Sequence, residues 1–293
     1  MGSYAPILPP HEPGAVRGDS GPQPEVLPPD PGFDPASQPM RRPRPSWAVA
    51  PATYVLVGIN CLVFVIMVMR GVSILSPASG QLLYFGANNA SAVLQYGDWW
   101  RIVTAMFVHV GIIHLACNMW CLWNLGLLAE PLLGSAGLMA AYILSGAAGN
   151  LLSTLYNWWK YSAQAGTGGL VYGPVGAGAS GAVFGLAGVL IILLKSPRLP
   201  VPPMELKKLR KSVIYFAAIN LLIGLGTMAP GSVVHIDNQA HVGGFCCGLL
   251  FAAPLVPRLG SPRRLFEVRR RVAVGLIVGV LVLFGFFLAQ LPG

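Results

Sequence analysis

The sequence predicts an all-α polytopic membrane protein that crosses the bilayer seven times, on three observations. Of its 293 residues, 54% are hydrophobic and only 10% are charged, less charge than a water-exposed surface requires. Apolar runs long enough to cross about 30 Å of hydrocarbon as a helix recur near 51–69, 103–129, 136–156, 178–194, 213–229, 240–256 and 272–289. The basic residues gather in alternate connections. With the N-terminus inside, sixteen of the nineteen lysines and arginines fall before the first span, between the fourth and fifth, and between the sixth and seventh. Short basic loops mark the cytoplasmic side, so the N-terminus is expected inside and the C-terminus outside. The same placement accounts for the net charge of +9 without a nucleic-acid partner.

Residues 1–46 are rich in proline and glycine and carry five acids, Glu12, Asp19, Glu25, Asp30 and Asp34. They cannot bury enough apolar surface to offset the entropy of ordering, and the expectation is a disordered cytoplasmic tail. It lacks the basic start and apolar centre of a signal peptide, and its acids argue against an organelle transit peptide. The first span has Asn60 but no ionisable group and reads as a packing element. The outer loop, about 70–101, ends in Trp99-Trp100-Arg101, which suits the membrane interface with Arg101 snorkelling towards water. The second span carries His109, His114, Asn118 and Asn124 where lipid-compatible residues are expected. His114 and Asn118, spaced i, i+4, share a face. Glu130 and Pro131 are expected to close this helix.

The third span has small residues from Ser145 to Gly149 for close helix approach, and 157–177 reads as an interfacial loop. The fourth opens at Gly176-Ala177-Gly178-Ala179-Ser180-Gly181-Ala182-Val183-Phe184-Gly185, a single hydroxyl among glycines and alanines. The proline-containing 195–212 segment reads as a basic inner connector. The fifth span offers only Asn220. An outer turn at 230–239, with His235 expected in solvent, leads to a sixth span opening Asp237-Asn238-Gln239-Ala240-His241-Val242-Gly243-Gly244. The seventh is apolar throughout and reads as scaffold. All five cysteines lie in apolar segments and imply no disulfide framework. Cys117 and Cys121 share a face, but no further Cys or His stands at ligand spacing, so no metal is expected.

The second, fourth and sixth spans run in the same direction, so depth can be counted back from their inner ends. At the helical rise, Ser180 is about 22 Å from Lys195, His241 about 25 Å from Arg258 and His114 about 24 Å from Glu130. These residues fall at one level, about 5–10 Å below the outer boundary of a 30 Å core. A serine beside a histidine is the minimum for nucleophilic acyl transfer, with Ser180 as nucleophile and His241 as general base. The oxyanion requires donors, for which His114, Asn118 and the Ser180 backbone N–H are candidates. No cofactor is needed. Asp237, four residues before His241, could complete a triad, but it is expected at or above the membrane surface. A nucleophile elbow is excluded, because position 182 is alanine and no strand pattern precedes it.

Trp100-Arg101, His109 with His114-x-x-x-Asn118, Gly178-Ala179-Ser180-Gly181, and Ala240-His241-x-x-Gly244-x-x-x-Gly248 together resemble the rhomboid family of intramembrane serine proteases, over about residues 51–256. The resemblance implies a Ser180/His241 dyad without an acid, an oxyanion site that includes His114 and Asn118, and cleavage of single-pass transmembrane proteins. It implies that Gly178 lies by the nucleophile, that Phe184 stacks on His241, and that His109 supports the site. Some members carry tyrosine where this chain has Phe184, so a hydroxyl is missing here. The domain reading is a tail at 1–46, a six-helix rhomboid-like core at 47–256, and a basic loop with a seventh transmembrane helix at 257–293. The expected function is an intramembrane serine endopeptidase acting in the lipid bilayer near the outer end of its substrate's helix, in a bacterial plasma membrane. The rival is a catalytically inactive rhomboid-like protein that binds membrane clients, which has no chemical reason to keep both Ser180 and His241. A solute path is a poorer fit, because the fourth span offers no polar group between Ser180 and Lys195.

Overall fold

The computed structural model describes residues 50–165, 173–196, 199, 202–226, 236–258 and 262–291. The tail at 1–46 and His235 lie outside the described residues, as do parts of the loops at 157–177, 195–212 and 230–239. In chain order the helices are α1 (Pro51–Met69), α2 (Ser79–Tyr84), α3 (Ala90–Leu94) and α4 (Arg101–Thr104), the last passing into a 3-10 turn at Ala105–Phe107. There follow α5 (Ile112–Leu133), α6 (Ser135–Ala165), α7 (Ser180–Leu193), α8 (Pro203–Gly226), α9 (Asn238–Ala252), which passes into a 3-10 stretch Ala253–Arg258, and α10 (Arg263–Ala289).

Among the described residues, five stretches are long and apolar enough to cross a membrane: Pro51–Met69, Ile112–Leu133, Ser135–Tyr161, Asn238–Val256 and Arg263–Ala289. The protein is an integral membrane protein of all-α class. Each of the seven expected spans has a helix, with four changes of boundary, the seventh helix starting at Arg263, nine residues before its apolar run. The second begins at Ile112, because Gly111, at φ +103°, separates it from the preceding segment. The third runs on to Ala165, since no glycine or proline interrupts it after Gly149. The fifth begins at Pro203, so much of the expected connector is helical. Proline is well suited to a helix start, and the Met, Glu, Leu, Lys and Arg that follow are strong helix formers.

The short helix α7 is the centre of the bundle, with eleven of its fourteen residues buried. A helix apolar on every side is one surrounded by others. It meets α9 backbone to backbone. A Cβ on Gly244 would overlap the carbonyl of Gly181, one on Gly248 the carbonyl of Gly185, and one on Gly188 would lie 2.5 Å from the carbonyl of Phe245. On the other side of α9, a Cβ on Gly243 would stand 2.8 Å from the Ala148 carbonyl of α6, and one on Gly149 would stand 2.5 Å from the Ala240 carbonyl. Lipid is as apolar as leucine, so such close approach, through dispersion, is what holds helices together in a membrane.

At the opposite end of the bundle, buried Glu130 of α5 accepts the N–H groups of Ala52 and Thr53 at 2.9 and 2.8 Å, and the hydroxyls of Thr53 and Ser135 at 2.7 and 2.6 Å. The first turn of α1 has no side-chain cap from its own N-cap residue, Ala50. A carboxylate from another helix therefore satisfies its orphan donors and meets the positive end of its dipole. Glu130 is thus a cap for α1 rather than a stop for α5, which contains Pro131 and continues to Leu133. Arg270 of α10 serves the other polarity, donating to the Leu133 carbonyl at 2.8 Å at the C-terminus of α5.

In the loop at 70–101 Arg101 does not reach into solvent. Its guanidinium bonds Asp98 at 2.9 Å and the carbonyls of Leu83 and Ala87 at 2.6 and 3.1 Å, with 12% of the side chain exposed. Three convergent acceptors match the guanidinium fork better than interfacial water does, and the arginine staples the loop.

Gly248→Ala should lower the stability of the detergent-solubilised protein by about 1–3 kcal/mol through overpacking, read as a fall in its unfolding midpoint. Gly275→Ala, where a Cβ meets nothing within 4 Å, is the control and should leave it unchanged. Glu130→Ala should cost about 1–3 kcal/mol by stranding two buried N–H groups, visible in the same measurement.

Candidate active site

Ser180 is the first residue of α7. Its N–H therefore has no acceptor within the helix and lies at the positive end of the dipole. The segment leading to it is held at four points. Asn88 and Gly176 form an isolated antiparallel bridge, with N–H to carbonyl distances of 2.7 and 2.9 Å. The Gly178 N–H donates to the Ala105 carbonyl at 3.0 Å, and the Ala179 N–H lies 3.4 Å from His109 Nε2. His109 Nδ1 lies 3.3 Å from the Phe107 carbonyl. A neutral imidazole protonated on Nδ1 serves both contacts, leaving Nε2 as the acceptor. His109 is fully buried, and it lies before α5 rather than within the helix.

Gly178 has φ +129°, a conformation that L side chains rarely adopt. A Cβ there would lie 2.5 Å from His114 Cε1, 3.0 Å from His114 Nε2 and 3.6 Å from Asn118 Nδ2. The absence of a side chain thus brings the backbone beside Ser180 against the imidazole and the amide. Val110 N–H approaches His114 Nδ1 at 3.4 Å, which makes Nε2 the protonated nitrogen on the Gly178 side. Asn118 donates through Nδ2 to the His114 carbonyl at 3.1 Å, which orients the amide.

His241 lies in the first turn of α9 and is buried. Its ring stacks on Phe184, with centroids 4.1 Å apart and planes 10° from parallel. Phe184 is four residues after Ser180 and so shares its face of α7. The backbones are close at the same level, since a Cβ on Gly181 would lie 3.2 Å from the Ala240 carbonyl. Asp237 does not form a triad. Its carboxylate accepts the Ser153 hydroxyl and, at 3.0 Å, the Ala240 N–H, capping α9, while the buried His241 Nδ1 has no hydrogen-bond partner among the described residues. Nor does Asp237 stand clear of the protein. Burial pushes its carboxyl above the usual range, against the hydrogen bonds from Ser153, Ala240 and Gln239.

Asn124 is exposed and returns its amide to the Trp120 carbonyl at 2.7 Å, away from this cluster. Residues that the sequence reading passed over are Asn88, Asn150, Ser153 and Thr154, all buried. The last three recur at i, i+3 and i+4 in the C-terminal half of α6, a polar stripe within an apolar helix, and that periodicity is the signal that would have found them. Chemically, the cluster offers a hydroxyl at a helix N-terminus, an imidazole, and N–H donors converging beside it.

A sequence model of the Rhomboid domain matches residues 96–258. The chain is 31% identical over 210 residues to rhomboid protease GluP of Bacillus subtilis (strain 168), covering 71% of this chain and 36% of that protein. It is 32% identical over 204 residues to rhomboid protease AarA of Providencia stuartii, covering 68% of this chain and 70% of that protein. RHOMBOID-like protein 1 of Arabidopsis thaliana is 32% identical over 187 residues, or 64% of this chain and 42% of that protein. The matched region is thus little more than a third of the Bacillus protein and most of the Providencia one. With the transmembrane helices, the glycine-packed centre and the matched sequence in agreement, the chain belongs to the rhomboid family.

Proposed function

We propose that this protein is an intramembrane serine endopeptidase whose nucleophile is Ser180 and whose general base is His241. The observation that carries the reading is that Ser180 stands at the N-terminus of α7 on the helix face where Phe184, one turn further along, stacks on the His241 imidazole. His241 removes the hydroxyl proton as Ser180 Oγ attacks the scissile carbonyl, and a tetrahedral intermediate forms. Its oxyanion accepts from the Ser180 N–H, His114 Nε2–H and the Asn118 amide. The imidazolium then protonates the leaving amine, the C–N bond breaks, and an acyl-enzyme remains. A water deprotonated by His241 hydrolyses that ester and restores the hydroxyl. Among the described residues no carboxylate bonds the His241 ring, which stacks on Phe184.

The substrate is a single-pass transmembrane protein cut near the outer end of its helix. A helix hides its carbonyls in its own hydrogen bonds, so the cut falls where small or helix-weakening residues let the backbone open. The basic connections support an N-terminus in the cytoplasm and a C-terminus outside, in a bacterial plasma membrane. Within the chain, 47–256 is the catalytic core and 257–293 is an addition to it.

In proteoliposomes with a fluorogenic single-pass substrate, Ser180→Ala and His241→Ala should reduce cleavage to background. His114→Ala and Asn118→Ala should each lower kcat by about 10²–10³-fold. Equal cleavage by wild type and Ser180→Ala would overturn the reading and leave a client-binding role. A C-terminal reporter active only outside the cytoplasm should give signal, and a cytoplasmic signal would refute the topology.

A further inference from the structure

We infer that one polar stripe on α6 aligns both arms of the site, with Asn88 as the positioning residue for the nucleophile arm and Asp237 for the base arm. The inference rests on the proposed Ser180/His241 chemistry. Asn150, Ser153, Thr154 and Asn157 are spaced i, i+3, i+4 and i+7 and so lie on one face of α6. The first three are buried, and polar groups inside a membrane bundle are costly unless partnered. Here they are partnered in two branches.

In the first branch, the Asn88 amide nitrogen lies 3.1 Å from both the Asn150 carbonyl and the Thr154 hydroxyl. The Asn88 backbone forms the two-bond bridge to Gly176, four residues before Ser180. Asn150 also donates to the Ile102 carbonyl of α4 at 2.9 Å, which holds the outer loop to the same face. In the second branch, the Ser153 hydroxyl donates to Asp237 Oδ2 and accepts from Asn157 Nδ2 at 3.2 Å. Asp237 Oδ1 then takes the Ala240 N–H at 3.0 Å, and its carbonyl takes the His241 N–H at 3.2 Å.

The branches meet at Gly176. A Cβ there would lie 3.2 Å from Asp237 Oδ2, 3.7 Å from Asn88 Cβ and 3.9 Å from Ser153 Oγ. The approach to Ser180 and the turn that carries His241 are thus referenced to the same short stretch of α6, Asn150–Thr154. Asp237 acts through the helix terminus and not on the imidazole, because both its oxygens are engaged elsewhere and His241 Nδ1 has no partner among the described residues. Its charge is therefore dispensable, while its hydrogen-bonding shape is not.

The test compares kcat, KM and the rate of Ser180 labelling by a fluorophosphonate for wild type, Asp237→Asn and Asp237→Ala. Asparagine caps a helix as well as aspartate does and can also bond the Ser153 hydroxyl, so Asp237→Asn should stay within about threefold of wild type, whereas an orienting acid replaced by its amide loses about 10⁴-fold. Asp237→Ala should lower kcat and labelling together by about ten- to hundredfold, the effect of a small misplacement, with KM unchanged. A loss in Asp237→Asn equal to that in Asp237→Ala, or wild-type kcat in Asp237→Ala, overturns the inference. If Asp237→Ala does not fold, Ser153→Ala and Thr154→Val decide it. Lower kcat at unchanged KM in both supports it, and wild-type kcat in either overturns it. Wild type that takes no label at all, beside a soluble serine hydrolase that does, overturns the underlying protease reading instead.

Discussion

The contact on which the remainder of the structure depends is that of α7 with α9, where Gly181 and Gly185 face Gly244 and Gly248 with no side chain between them. In water, two apolar helices could be driven together by burial alone. In hydrocarbon that drive is absent, and close packing must supply the attraction. Glycine on both sides lets the backbones approach as nearly as they can. Three consequences follow. The helix α7 becomes the buried axis of the bundle, and its short length is tolerated because other helices surround it. The rings of Phe184 and His241 are brought into stacking contact. The remaining neighbour, α6, can close on α9 through Gly149 and Gly243.

Around that axis, polar groups are spent on helix ends and loops. Glu130 caps α1, Arg270 caps α5, and Asp237 caps α9, and the first two caps come from a different helix than the one capped. Asn60 reaches Tyr142 at 3.1 Å, and the Tyr142 hydroxyl reaches the Met106 carbonyl at 3.3 Å, tying α1 and α6 to the turn before α5. An unsatisfied N–H or C=O in a dry environment costs more than the bond itself contributes. Such bonds therefore select one arrangement of the helices among several that glycine packing alone would permit.

Much of the fold was legible in the sequence, because hydrophobic run length is a direct readout of bilayer thickness. The boundaries were less so. The second span begins nine residues later than its apolar run, since Val108–Gly111 is as apolar as helix but is bent by Gly111. Arg101 read as an interfacial cation because its acceptors, the carbonyls of Leu83 and Ala87, are backbone groups that no residue pattern reports. Glu130 read as a helix stop because its partners on α1 lie 77 and 78 residues away. Of the candidate site, the depth count put Ser180, His241 and His114 at one level with Asn118 one turn on from His114, and a Cβ on Gly178, two residues before Ser180, would meet both His114 and Asn118. The stripe on α6 escaped notice because its members are uncharged and no single one is unusual.

By itself the sequence determined that the chain is membrane-embedded and helical and roughly where its helices lie, since these follow from local quantities: run length and helical period. The opening stretch around Ser180 could be read as far as its composition, a hydroxyl among glycines. Only the tertiary structure decided which glycine faces which. It decided that Asp237 bonds Ser153 and its own helix instead of His241, and that Gly176 lies between Asn88 and Asp237. Those are contacts between segments far apart in the chain, and a hydrogen bond depends on distances of a few tenths of an ångström that no one-dimensional pattern encodes.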